Sequence, residues 1–164
     1  MHSDDAWAAL DQVGQWTRFA DAKAAVILAS SGVLGGLLLG RPASAGHDAA
    51  AIRGIMLGVG LVAVALSAVF SLRALQPRLR IRRVTPTSLL FFDHVARRYA
   101  GDAAEYVAAF TQASADDALS QDVIGQVWAN SIVARRKFRQ VTVATWLLGL
   151  ALVAGGVTVF LERI

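Results

Sequence analysis

The sequence predicts an all-α membrane protein with three transmembrane helices and a cytoplasmic helical region between the second and the third. Three long stretches, residues 24–40, 54–72 and 141–161, contain no Asp, Glu, Lys or Arg. The whole chain is 55% hydrophobic with a mean hydropathy of +0.50, which is high for a soluble protein of 164 residues. The remaining residues are too few for a large soluble catalytic domain, so we expect the protein to act at the membrane.

The uncharged stretches hold 17, 19 and 21 residues. A helix rises about 1.5 Å per residue and the hydrocarbon core of a bilayer is roughly 30 Å thick. All three stretches can therefore span a membrane, the first of them only just. Pro42 disfavours helix at Arg41 and should end the first span. Because the loop of residues 41–53 is short, the first two spans, which make up residues 24–72, should form an antiparallel hairpin.

Residues 1–23 are predicted to form an amphipathic cytoplasmic helix. Ser3 can cap its first turn, where Asp4 and Asp5 suit the helix dipole. Two placements are open. The helix either lies at the membrane surface or runs on into the first span, with its tryptophans near the headgroups. Alternatively, it is a soluble helix packed on residues 73–140.

Ala43-Ser44-Ala45, just after the first apolar stretch, resembles a signal-peptidase site. Two features favour a retained helix instead. Residues 1–23 hold four acids against two bases, the wrong charge for a signal peptide, and the 17-residue apolar run exceeds the usual length of about 7–15 residues. We therefore expect the first span to be kept.

The basic residues predict the orientation. Residues 73–140 hold eleven of them, whereas the 41–53 loop holds only Arg41 and Arg53. Because Lys and Arg beside spans are retained in the cytoplasm, the N-terminus and residues 73–140 should be inside and the C-terminus outside. Nine of the eleven lie in two clusters, 73–83 and 135–139, which also suit anionic lipid headgroups.

The cytoplasmic region should contain three helices. Pro77 and Pro86 interrupt the chain after the second span. Helix should resume near Ser88 and run to Tyr99, and a second helix should begin after the capping residue Asp102. No helix-breaking residue follows between Ala118 and Leu161, so one helix of about 65 Å at the standard rise should include the third span.

Small residues recur four positions apart within the spans. The G-x-x-x-G pairs include Gly32 with Gly36 and Gly54 with Gly58. Such spacing lets helix backbones approach closely in lipid. These glycines either pack helices within one subunit or form a contact between subunits.

Charged residues at the membrane boundary form a second candidate site. Asp21 and Lys23 come just before the first span, and Arg136 and Lys137 come just before the third. All of them should lie at the cytoplasmic interface, where Asp21 can pair with Lys137 or Arg136 and hold the first helix to the third. The alternative is that each charge reaches separately into the headgroup region.

Motifs for catalysis are absent from the sequence. It contains no cysteine, no H-E-x-x-H, no G-x-S-x-G and no phosphate-binding glycine loop. His94 is the only histidine of the cytoplasmic region, and no nucleophile accompanies it. We expect no enzymatic activity, no metal and no cofactor. Arg97 and Arg98 can bind a phosphate or can simply form a solvated helix face.

Several segments together resemble the Pycsar effector transmembrane family. The A-D-x-K-A pattern of residues 20–24 enters a span, and Lys137-Phe138 precedes another, where the family commonly has tyrosine at the second position. Segments between the spans also resemble the family, namely residues 89–96, Glu105-Tyr106, and residues 116–119. The likeness covers nearly the whole chain.

The resemblance implies an effector of bacterial anti-phage defence in the inner membrane. A companion pyrimidine cyclase would make cyclic CMP or cyclic UMP on infection, and the effector would then impair the membrane and cause abortive infection. No nucleic-acid partner is implied. The sequence shows no recognisable cyclic-nucleotide-binding domain, so the ligand site would come from residues 73–140 or from a subunit interface. Arg97 and Arg98 are candidates for the phosphate, and Phe92, His94 and Tyr99 for stacking on the base.

Three spans cannot enclose an aqueous pathway alone, so a homo-oligomer is expected if the membrane is permeabilised. The alternative from another class is a small membrane adaptor that binds a partner through its basic cytoplasmic helices. A holin-like toxin fits less well because of the long cytoplasmic region, and a membrane enzyme fits least because catalytic groups are missing.

Overall fold

The computed structural model describes residues 3–40, 50–76, 88–115 and 118–161. Within these ranges every regular element is an α-helix, which confirms the predicted all-α class. The helices are α1 (Ser3–Leu39), α2 (Ala50–Leu75), α3 (Phe92–Arg98), α4 (Ala103–Ala115) and α5 (Ala118–Leu161). Three of these, α1, α2 and α5, are long and apolar enough to span a membrane. The chain is therefore a membrane protein, as its hydropathy predicted.

The ends of the helices follow local chemistry. Asp4 and Asp5 occupy the first turn of α1, where they offset the partial positive charge of the unpaired amides. At the start of α4 the carboxylate of Asp102 accepts hydrogen bonds from the amides of Ala104 and Glu105 at 2.9 and 3.0 Å, which confirms the predicted cap. The break predicted at Arg41-Pro42 and the breaks at Pro77 and Pro86 lie outside the described residues.

The third helix begins later than the sequence predicted, at Phe92 rather than near Ser88. The hydroxyl of Ser88 accepts hydrogen bonds from the amides of Leu90 and Phe91 at 3.2 and 3.1 Å. A serine that bonds nearby amides in this way competes with helix formation. The four residues before α3 therefore form a turn, which the apolar run of leucine and phenylalanine does not reveal.

The described residues form two compact units. The first unit lies within Met1–Arg18 and Pro77–Arg135, and the second lies within Phe19–Gln76 and Arg136–Ile164. Helices α1 and α5 are continuous, so each contributes residues to both units. The single uninterrupted helix predicted from Ala118 to Leu161 is confirmed, and its 44 residues give a length of about 66 Å.

In the first unit, α5 anchors the turn before α3. The carboxylate of Asp122 accepts hydrogen bonds from the Ser88 hydroxyl and the Leu89 amide, both at 2.9 Å. The hydroxyl of Tyr106 on α4 donates to the carbonyl of Leu89 at 3.1 Å. Val123, which follows Asp122 in sequence, is fully buried. The turn is thereby fixed to two helices that lie far from it in sequence.

The second unit packs α1, α2 and α5 through small side chains. The alanines at 24, 63, 74, 144 and 151 are at most 2% exposed, whereas bulky residues such as Val33, Leu37 and Trp146 face outward. This arrangement suits a bilayer, because lipid is as apolar as leucine and helix association depends on close packing.

Candidate functional site

Asp21 on α1 and Lys137 on α5 form an ion pair in the second unit. The ammonium of Lys137 donates to both carboxylate oxygens of Asp21, at 2.6 and 2.8 Å. The side chain of Lys137 is only 15% exposed and that of Asp21 is 36% exposed. The pair is therefore partly shielded from water, which strengthens its attraction relative to a pair on an open surface.

Lys23 takes part in a different contact. Its ammonium lies 4.4 Å from the centre of the Phe19 ring, within the range of a cation–π interaction. Asp21 and Lys137 therefore come together, whereas the neighbouring Lys23 packs on its own helix.

A serine link joins all three helices of the second unit. The hydroxyl of Ser67 on α2 donates to the carbonyl of Ala144 on α5 at 2.9 Å. The same hydroxyl lies 3.1 Å from that of Ser31 on α1, which also bonds the carbonyl of Ile27. Both serines are at most 1% exposed. Sequence reasoning missed this link, although the serines within the first two apolar spans were a visible signal.

The four glycines predicted to pack helices make no such contact with the helices that the structure describes. At Gly32, Gly36, Gly54 and Gly58, an added Cβ would have no heavy atom of another described helix within 4 Å. The close approaches occur elsewhere, for example at Gly35, where a Cβ would lie 3.1 Å from Val64. Packing against the described part of one subunit therefore does not explain these four residues, and a contact between subunits stays a prediction.

The residues predicted to bind a nucleotide take part in separate local contacts. Arg97 bonds Asp93 one helical turn away at 3.2 Å, and the guanidinium of Arg98 lies 5.2 Å from the centre of the Tyr99 ring. Tyr99 is only 8% exposed. His94 packs edge-on against Phe91, with ring centres 5.0 Å apart.

A groove in the first unit has a volume of about 630 Å³ and includes one of those predicted residues, Phe92. Its walls combine the aromatic rings of Trp7, Phe91 and Phe92 with the amide side chains of Gln126 and Asn130. The groove brings residues near the N-terminus together with the turn before α3 and with α5. The first turns of α1 thus pack within the first unit, while the same helix continues without a break into the first apolar stretch.

One acid and one base line the same groove. A guanidinium nitrogen of Arg18 lies 3.6 Å from a carboxylate oxygen of Asp11, and both side chains are well exposed. The other carboxylate oxygen of Asp11 accepts a hydrogen bond from Gln15 at 2.7 Å. The groove therefore offers aromatic faces, amides and a guanidinium, which together suit a small aromatic anion. Among the described residues, no group of three or more His, Cys, Asp or Glu side chains is arranged to hold a metal ion.

Comparison with known proteins identifies the family. The model of the Pycsar effector protein domain matches residues 5–162, nearly the whole chain. The chain belongs to the Pycsar effector transmembrane family. The resemblance seen in the sequence is thereby confirmed, and the family acts in anti-phage defence.

Two relatives of this Pycsar effector illustrate the match. The chain is 33% identical over 138 residues to the Pycsar effector protein PtPycTM of Propioniciclava tarda, an alignment that covers 83% of this chain and 68% of the relative. It is 46% identical over 56 residues to the Pycsar effector protein MePycTM of Micromonospora echinofusca, which covers 34% of this chain and 95% of the relative. No solved structure matches the chain significantly.

The structure gives a physical reason for the A-D-x-K-A pattern in this Pycsar effector. Ala20 and Ala24 are fully buried one turn apart on α1, which lets neighbouring helices approach its backbone closely. Asp21 lies between them in sequence and bonds Lys137. The pattern therefore combines a small helix face with one acid that pairs across to α5.

Proposed function

We propose that this Pycsar effector responds to a cyclic pyrimidine nucleotide, cyclic CMP or cyclic UMP, by impairing the integrity of the inner membrane, and that the infected cell dies before phage mature. The nucleotide would come from a companion cyclase. The observation that carries this proposal is the family match over residues 5–162, in a chain with three helices capable of spanning a membrane. No enzymatic step is needed for this role.

The helices supply a route for such a response. Both α1 and α5 run unbroken from residues of the first unit into residues of the second. A ligand can change the balance between a resting and a damaging state only by binding the damaging state more tightly. A nearly complete switch needs a preference of about 5 kcal/mol, which a bound anion and a stacked base can supply together.

We further propose that the N-terminus is cytoplasmic and the C-terminus periplasmic, because the basic residues concentrate in 73–140. The cyclic nucleotide would then meet its effector on the cytoplasmic side. Alkaline phosphatase fused after Ile164 should be active and the same enzyme fused after Arg83 inactive. The reverse pattern would overturn this orientation.

Leakage of a trapped dye from reconstituted vesicles tests the function directly. We expect leakage with cyclic CMP or cyclic UMP, and little leakage without nucleotide or with the uncyclised monophosphates. Vesicles of matched protein density provide the control. Equal leakage with and without nucleotide would reject gating by ligand and favour a constitutive toxin. No leakage under any condition would favour an adaptor that binds a partner through its cytoplasmic helices.

A further inference from the structure

We propose that the groove lined by Trp7, Phe92 and Arg18 is the site where the cyclic nucleotide binds. This inference rests on the proposed function, and it moves the site away from the arginines of α3 that the sequence suggested. The groove belongs entirely to the first unit. Its volume of about 630 Å³ is in the range of small-molecule sites, which is about 300–1,000 Å³.

The aromatic rings provide the first part of the site. Phe92 is 64% exposed and Trp7 is 45% exposed, although neither residue belongs to the three uncharged stretches. Both rings line the same groove, and large apolar faces grouped in this way favour a binding surface. Stacking a base on an aromatic ring favours binding and tolerates different bases. The two rings therefore suit the pyrimidine of a nucleotide.

The amides of α5 provide the second part. Gln126 and Asn130 lie one helical turn apart and both line the groove. Gln126 donates to the Ser88 hydroxyl at 2.9 Å, which leaves its carbonyl oxygen as an acceptor. The Asn130 amide has no hydrogen bond to any residue that the structure describes. Such amides can pair with the donors and acceptors along the edge of an unstacked base.

Arg18 provides the third part, through an exchange of partners. Its guanidinium lies near Asp11, in an exposed pair of a kind that contributes little to stability. A cyclic phosphate offers two oxygens to a guanidinium and forms stronger, charge-assisted hydrogen bonds. Asp11 keeps its hydrogen bond from Gln15, so its carboxylate still has a hydrogen-bond donor after Arg18 binds the phosphate. The same carboxylate repels the ligand, and its removal should tighten binding.

The arginines of α3 are a weaker site for the same ligand. Arg97 is held by Asp93 on its own helix, and Tyr99 is too buried to stack on a base. Neither Arg97 nor Arg98 lines the groove. A lipid headgroup would also satisfy Arg18, but it would leave the aromatic rings and the amides unused.

Calorimetric titration of the full-length protein in detergent tests the site. The ligands are cyclic UMP, cyclic CMP, uridine and glycerol phosphate. We expect Arg18→Gln and Trp7→Leu each to weaken binding of the cyclic nucleotide about tenfold, since about 1.4 kcal/mol corresponds to one tenfold step. Asp11→Asn should tighten binding about two- to threefold, a gain that a misfolded variant would not show. Trp128→Leu, which removes a still more exposed tryptophan outside the groove, should leave the affinity unchanged.

The possible results distinguish failure of the groove proposal from failure of the proposed function. If the wild type binds a cyclic pyrimidine nucleotide and the groove variants bind it equally well, the site is wrong and the proposed function stands. If the double variant Arg97→Ala with Arg98→Ala loses binding and the groove variants keep it, the nucleotide binds at α3 instead. Binding of glycerol phosphate as tight as that of cyclic UMP would mean a lipid-phosphate site. If the wild type binds none of the nucleotides, both the groove proposal and the nucleotide response are overturned.

Discussion

At the scale of single residues, we expect the ion pair of Asp21 and Lys137 to be sensitive to substitution. Lys137 donates to both oxygens of Asp21 and is largely shielded from water. When one partner of a shielded pair is removed, the other charge remains without its neighbour, and this costs more than the pair itself contributes. The pair also joins α1 to α5, the two helices that run through both units.

The first prediction concerns this pair. We expect Asp21→Ala or Lys137→Ala to reduce nucleotide-dependent leakage while leaving the amount of protein in the membrane unchanged. The exchanged protein, Asp21→Lys with Lys137→Asp, should recover more activity than either alanine variant, because attraction is restored with the charges reversed. Lys23→Ala is the matched control, since Lys23 contacts Phe19 rather than Asp21. If the exchanged protein lost as much leakage activity as the two alanine variants together, Asp21 and Lys137 would not be coupled.

At the scale of helices, the serine link tests how the second unit is held together. Ser67 on α2 bonds the carbonyl of Ala144 on α5 and lies against Ser31 on α1. Hydrogen bonds between helices in a membrane contribute about 0.6 kcal/mol on average and up to about 1.7 kcal/mol. A single hydroxyl that serves two neighbouring helices should lie toward the upper end of that range.

The second prediction follows from this geometry. Ser67→Ala should lower the free energy of unfolding by about 1 kcal/mol, measured by denaturation in mixed micelles. Ser30→Ala should have little effect, because the exposed hydroxyl of Ser30 bonds only the carbonyl of Val26 on its own helix. If Ser67→Ala and Ser30→Ala had the same free energy of unfolding, the serine link would contribute nothing to stability.

The helices themselves were largely predictable from sequence, and the groove was not. Hydropathy and helix length located the spans, and the lack of a breaker after Ala118 predicted the long fifth helix. The groove combines residues near positions 7–18, 90–92 and 126–130, and nothing local in the sequence brings these segments together. Ser88 shows the same limit on a smaller scale, because its bonds to Leu90 and Phe91 delay α3.

At the scale of the whole molecule, the small residues of the second unit fall into two classes. Gly35, Gly60 and Gly155 would place a Cβ against Leu38 or Val64 within the chain. Gly32, Gly36, Gly54 and Gly58 are open on its surface. A single copy with three candidate spans cannot surround an aqueous pathway, so permeabilisation requires several copies, and closed symmetry is the usual arrangement.

The last prediction uses this division. Gly32→Leu or Gly36→Leu should prevent assembly and abolish leakage without changing the stability of the single subunit, because the added side chain meets only the outer surface. Gly35→Leu should instead destabilise the subunit, by about 1–3 kcal/mol as is usual for overpacking, since its Cβ would lie 3.1 Å from Val64. Native mass spectrometry with and without cyclic UMP measures assembly, and thermal unfolding measures stability. If the wild type stays monomeric with and without nucleotide while vesicles still leak, damage to the membrane does not need a pore formed by several copies.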